Sequence, residues 1–192
     1  MSTATNFGAR LPALLNDLAL LVMMLVIAAI LTTAMTLQYA YGELPCPLCL
    51  LQRVAMFGVC FGIILHFRQG YSVRNTGLSL LFALFLLIVS VRQTLLDIYP
   101  RPGHSYIGSA VLGLHMPVWS ILIALAILLA FAIKLAVLGG GEQLREARPA
   151  PLLGGLAAAL TVYVIALCAI NFVSVILQCG LGECHTFGYK LL

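Results

Sequence analysis

Four cysteines of this chain stand in two spaced pairs, CPLC (Cys46 to Cys49) and CGLGEC (Cys179 to Cys184). Thiols a few residues apart can open and close a disulfide, supply half a metal site, or pin a loop. The neighbourhood of the first pair favours redox chemistry. Pro45 and Pro47 bracket Cys46, and Cys49 falls in the first turn of an apolar helix, where the positive end of the helix dipole favours a thiolate. Arg53 follows at i+4 from Cys49, on the same helix face and one turn deeper. A fixed cation there stabilises the Cys49 thiolate further and attracts the electronegative head of an oxidant docked between helices. Charge inside an apolar span marks a functional site by default. The bland alternative has Arg53 snorkelling outward to the lipid headgroups.

What must position these residues is a membrane protein. Of 192 residues 62% are hydrophobic and 8% charged, too little charge to cover a soluble domain, so lipid is the expected solvent. The net charge of +4 comes from basic residues spread along the chain and not gathered in a stripe, so no nucleic-acid partner is expected. A bilayer core takes about 20 apolar residues as a helix. Five such runs are present: Leu18 to Tyr41, about Leu48 to Phe67, about Thr76 to Asp97, Val118 to about Ala136, and Leu152 to Leu177. The first is too long for a signal-peptide core and lacks a small-residue cleavage site, so it is expected to stay as a helix.

Loop charge sets the expected orientation. Arg10, Arg68, Arg74, Lys134, Arg145 and Arg148 fall on one side, which the positive-inside rule makes cytoplasmic. The opposite loops hold Arg101 and Lys190, with Arg53 and Arg92 in helix ends nearby. The N-terminus is then cytoplasmic and the C-terminus periplasmic, and both cysteine pairs meet the outer, oxidising face. Cys60 and Cys168 fall mid-span and read as small apolar packing residues. His66 reads as a marker of the inner interface. Trp119, Tyr39, Tyr41, Tyr99 and Tyr106 read as an outer aromatic belt.

The stretch CPLCLLQRVAMFG resembles the quinone-coupled motif of the DsbB family, bacterial membrane proteins that reoxidise a periplasmic thiol oxidase. RQTLLDIYP (Arg92 to Pro100) resembles the end of that family's third helix, and GLHMPVW (Gly113 to Trp119) the start of its fourth. Together the resemblance runs from about residue 15 to 138. It implies an all-α integral membrane protein, a DsbB-like four-helix bundle to which this chain adds a fifth transmembrane helix. It also implies that Cys46 and Cys49 are the quinone-proximal redox pair, with Cys49 as the thiolate facing the quinone and Arg53 supporting quinone binding. Arg92 and Gln93 are expected to line the same pocket. The implied cofactor is ubiquinone or menaquinone, the implied partner a periplasmic thioredoxin-fold thiol oxidase of the DsbA type, and the implied location the bacterial inner membrane.

One departure from the family pattern matters. The family's second cysteine pair sits in the outer loop between helices three and four, and here that loop, YPRPGHSYIGSAVLGLHMP, contains no cysteine. The added fifth helix ends instead in Cys179 and Cys184. Gly180 and Gly182 give their short loop the freedom to close a disulfide. His185, when protonated, raises the thiolate fraction of Cys184. The economical expectation is a relocated shuttle, with electrons passing from the thiol partner to Cys179/Cys184, then to Cys46/Cys49, then to quinone. A static disulfide pinning the tail stays open beside it, as does a set of four thiolate ligands for zinc or an iron–sulfur cluster. The oxidising compartment and the quinone-type arginine argue against the last, and no metal is expected. For the whole chain, the alternative to a working oxidoreductase is a DsbB-like, non-catalytic subunit of another membrane redox complex. The expected organisation is a four-helix membrane domain at 1–138, a cytoplasmic linker at 139–151, and the fifth helix with its cysteine-bearing tail at 152–192.

Overall fold

The structure is a computed structural model that describes residues 4–98, 112–138 and 151–180 together with Gly182, Cys184 and Tyr189, with side chains from residue 11 onward. Tyr99, Arg101, His104, Tyr106, Arg145, Arg148, His185, Lys190 and the linker 139–150 lie outside the described residues, as does the side chain of Arg10. Within them the protein is all-α: α1 (Ala4–Ala40), α2 (Pro47–Gln69), α3 (Val73–Ile98), α4 (Met116–Leu138) and α5 (Pro151–Cys179). All five are long and apolar enough to cross a membrane. Their outward faces carry Leu25, Leu81, Leu129 and Val162, the surface that hydrocarbon requires.

Each expected span is present as a helix, but α1 begins well before Leu18. Asn16 and Asp17 interrupt the apolar run in the sequence, yet both are buried, because α2 supplies their partner. His66 Nε2 lies 3.0 Å from Asp17 Oδ1 and 3.3 Å from Asn16 Nδ2. His66, expected to mark the inner interface, is 6% exposed and paired within this end of the bundle. Lys134 of α4 joins this cluster, donating to Thr76 Oγ1 at 3.2 Å and standing 5.2 Å from the centre of the Tyr71 ring. Burial pushes the Tyr71 phenol up, and its ring face lies beneath the ammonium.

Local sequence fixes where α2 starts and stops. Cys46 is its N-cap, with extended backbone and a sulfur that accepts from Cys49 N–H at 3.1 Å; Pro47 follows at N1, where its missing N–H costs nothing. At the other end Gly70 takes φ 86°, a conformation glycine adopts freely, and its N–H returns to the His66 carbonyl at 2.9 Å. The chain then reverses into α3.

The helices run up and down, each antiparallel to the last. α2 is the central one, packed on α1, α3 and α5, while α4 closes on α3. Met24, Ile27 and Leu31 of α1 meet Val59, Cys60 and Ile63 of α2, Leu86 of α3, Phe131 of α4 and Val164 of α5 in one apolar core. Gly58 and Gly62 let α3 come close: a Cβ on Gly58 would enter the Phe82 ring, and one on Gly62 would strike Ser79 Oγ and the Asn75 carbonyl. Ser79 Oγ uses that proximity to donate to the Val59 carbonyl at 3.1 Å. Both cysteine pairs lie at one end of this bundle, and the Asp17, His66 and Lys134 cluster at the other.

Gly62→Leu is expected to push α2 from α3 and destabilise the bundle by about 1–3 kcal/mol. Thermal melting in detergent checks this, and a native melting temperature would refute so close a contact.

Candidate functional site: a dithiol and a buried guanidinium at one end of the bundle

Cys46 and Cys49 are joined as a disulfide at the mouth of α2, with their Cα atoms 5.0 Å apart. The polar side chain laid against the sulfurs comes from α3: Gln93 Nε2 is 3.5 Å from Cys46 Sγ and 3.4 Å from Cys49 Sγ. Gln93 Oε1 lies farther from Cys49 Sγ, at 3.9 Å, and accepts from Gln52 Nε2 at 2.9 Å. Gln52 Oε1 in turn accepts from Ser120 Oγ of α4 at 3.1 Å. Three helices thus meet at the disulfide through one chain of hydrogen bonds, all of whose side chains are buried.

Arg53 leads in another direction. It is 8% exposed, so it does not snorkel to the headgroups. Nη1 donates to Gln38 Oε1 at 2.6 Å, to Asn171 Oδ1 at 3.3 Å and to Met35 Sδ at 3.4 Å, and Nη2 donates to the Ala34 carbonyl at 3.1 Å. These acceptors are all neutral and come from α1 and α5. A guanidinium held this way is solvated without being neutralised, so its full charge is left for an electronegative guest. Cys49 and Arg53 share α2, but their side-chain hydrogen bonds run to different neighbours, α3 for the sulfur and α1 with α5 for the cation.

Consecutive residues of a helix point about 100° apart, and this separates Arg92 from Gln93. Gln93 is buried on the sulfurs; Arg92, expected to line the same pocket, is exposed.

Cys179 and Cys184 form the second disulfide, with Cα atoms 4.2 Å apart. These four cysteines thus stand as two bonded pairs. The second pair is tied to the first through its neighbour: Gln178, buried at the end of α5, donates from Nε2 to the carbonyl of Pro45 at 2.9 Å, and Pro45 directly precedes Cys46. Farther along the tail, Tyr189 Oη accepts from Gln38 Nε2 at 3.1 Å, which links the tail to the same amide that accepts from Arg53. Tyr39, expected as an interface anchor, is hydrogen-bonded to Ser174 of α5. Asn171, Ser174 and Gln178 form one polar stripe on α5, at i, i+3 and i+7, turned onto the disulfide-end halves of α1 and α2.

The two remaining thiols divide. Cys60 is sealed in the core, as a packing residue would be; Cys168 is exposed on α5 and does not pack inward.

Sequence reasoning missed Gln52, Ser120, Gln38, Asn171 and Gln178. The signal was there in part, since each is a polar residue within or at the end of an apolar run, and such a residue must find a partner on another helix. Which partner it finds depends on packing that periodicity alone does not give.

Among protein-family models, that of disulfide bond formation protein DsbB matches residues 16–110. No curated protein and no solved structure matches the chain. The matched stretch contains Cys46, Cys49, Gln52, Arg53 and Gln93; α4, α5 and the tail pair lie beyond it.

Gln178→Leu leaves the Pro45 carbonyl without this donor and is expected to cost about 1–3 kcal/mol. Gln178→Glu, of the same shape but unable to donate when ionised, should fail to restore the loss. Thermal melting of the two variants checks both, and a native melting temperature in either would refute the tether.

Proposed function

We propose that this chain, which belongs to the DsbB family over residues 16–110, is a working membrane thiol–disulfide oxidoreductase that carries electrons from a periplasmic thiol oxidase of the thioredoxin fold, through Cys179/Cys184 and then Cys46/Cys49, to quinone. The observation that carries the reading is the contact between Gln178 and Pro45, which ties the residue before Cys179 to the residue before Cys46. A shuttle pair has to reach the pair it serves, and the added helix delivers it to the same end of the bundle. The disulfide end faces the periplasm in this reading, since Arg68 and Arg74 stand at the opposite end. Residues 1–138 act as the DsbB-like unit, 139–151 as a cytoplasmic linker, and 152–192 as the shuttle arm.

The thiol steps balance as exchanges. A thiolate of the reduced partner attacks the Cys179–Cys184 bond; a new S–S bond forms as the old one breaks, and the bonding pair leaves on the released sulfur. The partner's second thiolate resolves that mixed disulfide, so the partner is oxidised and the tail pair reduced. The tail pair then repeats the two displacements on Cys46–Cys49, ending oxidised itself and leaving the α2 pair reduced by two electrons. The protons of each dithiol pass to water at that end or to the newly released thiolates. The N-terminal dipole of α2 favours the thiolate at Cys49, and Gln93 holds both sulfurs.

A quinone fits the remaining donor set. Arg53 is a buried cation whose described acceptors are neutral oxygens and a thioether, and a carbonyl oxygen that gains electron density is the guest such a group holds best. When bound, the quinone supplies a two-electron, two-proton oxidant. Arg53 binds and orients it, while Gln38, Asn171 and the Ala34 carbonyl keep the guanidinium in place.

Replacing Cys179 and Cys184 by serine is expected to abolish quinone reduction driven by a reduced thioredoxin-fold donor while preserving reduction driven by a small dithiol, measured above the uncatalysed rate. Native turnover with the protein donor would make the tail bond structural and sink the relay. Cys49→Ser should abolish turnover with either donor, whereas Cys60→Ser should stay near native; equal loss in both would remove the α2 pair from the chemistry.

Arg53→Ala is expected to raise the KM for quinone by about tenfold or more, the worth of a charge-assisted contact, with a smaller effect on melting. Unchanged kinetics across quinone concentrations would rule out this role of the arginine.

A further inference from the structure

A primary amide can turn either its oxygen or its NH2 toward a neighbour, and the choice decides whether it repels or welcomes a negative sulfur. At Gln93 two other side chains make that choice. Ser120 has one hydroxyl proton and gives it to Gln52 Oε1 at 3.1 Å. That contact turns the NH2 of Gln52 toward α3, where it donates to Gln93 Oε1 at 2.9 Å. With its oxygen engaged, Gln93 presents its NH2 to the disulfide, and the nitrogen lies 3.5 Å from one sulfur and 3.4 Å from the other. The NH2 group thus faces both sulfurs, with one N–H bond able to lie between them.

We propose that Gln52 and Ser120 are positioning residues for the redox pair: they lock the Gln93 amide with its NH2 group, and not its oxygen, toward Cys46 and Cys49, so that whichever sulfur is released as thiolate on reduction meets a fixed donor. This rests on the reading that Cys46 and Cys49 are the exchanging pair. The donor touches the oxidised pair only weakly, because a disulfide sulfur is a poor acceptor. It holds the reduced pair strongly, because a hydrogen bond to a charged acceptor is roughly twice as strong as a neutral one. Such one-sided stabilisation makes the pair a better oxidant of incoming thiols. It needs no motion at the moment of exchange, since all three side chains are buried and set in advance. The lock spans α4, α2 and α3, so the reactivity of the α2 pair depends on a hydroxyl two helices away.

The test is the equilibrium of the Cys46–Cys49 pair with glutathione, read on the full chain in detergent by differential alkylation and mass spectrometry of the peptide that carries it. Gln52→Glu keeps the shape and still accepts from Ser120, but an ionised carboxylate cannot donate to Gln93; the Gln93 amide then turns its NH2 to the carboxylate and its oxygen to the sulfurs. The constant is expected to move about tenfold toward the disulfide, the loss of one charge-assisted hydrogen bond. Ser120→Ala carries no change of charge and frees Gln52 to rotate; a shift of about threefold in the same direction is expected. Both constants within twofold of native, whether or not the melting temperature falls, would overturn the proposal, because a purely structural role lowers stability without moving the equilibrium. If Gln52→Glu does not fold, Ser120→Ala decides alone. No quinone enters the assay, so failure here and failure of quinone reduction in the native chain are separate results.

Discussion

A cation inside a bundle that faces lipid has to be solvated by the protein itself, and much of this fold follows from how Arg53 is solvated. Hydrocarbon offers nothing to a guanidinium, and an acidic partner would cancel the charge that makes it useful. The structure meets both demands with neutral oxygens from two other helices: Gln38 and the Ala34 carbonyl on α1, and Asn171 on α5. α1 and α5 are drawn to α2 at this level, and the polar stripe of α5 acquires a reason. Asn171 reaches the cation, Ser174 reaches Tyr39, and Gln178 reaches the Pro45 carbonyl, each about one helical turn beyond the last.

The same constraint explains why polar groups are gathered at the two ends. At the end opposite the disulfides, Asp17, Asn16 and His66 contact one another through polar atoms across α1 and α2, and Lys134 of α4 rests on Thr76 and the Tyr71 ring. Between the ends the apolar side chains of Met24, Leu31, Val59, Leu86 and Phe131 pack together, and the buried hydroxyls of Ser79 and Ser90 donate to backbone carbonyls. Apolar packing between helices is weakly specific when the surroundings are equally apolar, so the end clusters fix register and neighbours while the middle supplies contact. Removing one partner from either cluster would strand a buried polar group, which is why neither end can drift alone.

Much of this was legible in the sequence, and what was not has a physical cause. The five spans follow from apolar length, and the place of both cysteine pairs at one end follows from their parity. The start of α2 was legible because proline and cysteine at its mouth have positional meaning. α1 was read too short because Asn16 and Asp17 look like a boundary when their partner, His66, is fifty residues away. Arg92 and Gln93 look equivalent in a linear motif and differ by 100° on a helix, which puts one on the sulfurs and leaves the other outside. Gln52 sits between Cys49 and Arg53 in the motif itself, yet its importance depends on Ser120, which lies beyond the stretch matched by the family model. Side-chain amides were the least legible of all, because their role is set by which end of the amide is engaged.

In the proposed relay the two departures from the four-helix pattern, a loop without cysteines and an added helix that ends in two, amount to one change. A second pair held on a helix is anchored where a pair on a long loop is not, and its reach is set by Gln178 against Pro45. The same helix supplies Asn171 to Arg53. In that reading one element bears the tail pair and an acceptor of the Arg53 cation, and Tyr189 closes the connection by taking a hydrogen bond from Gln38, whose oxygen takes one from Arg53. An extra helix added only as an anchor would need none of these polar residues, and its inner face would be as apolar as its outer one.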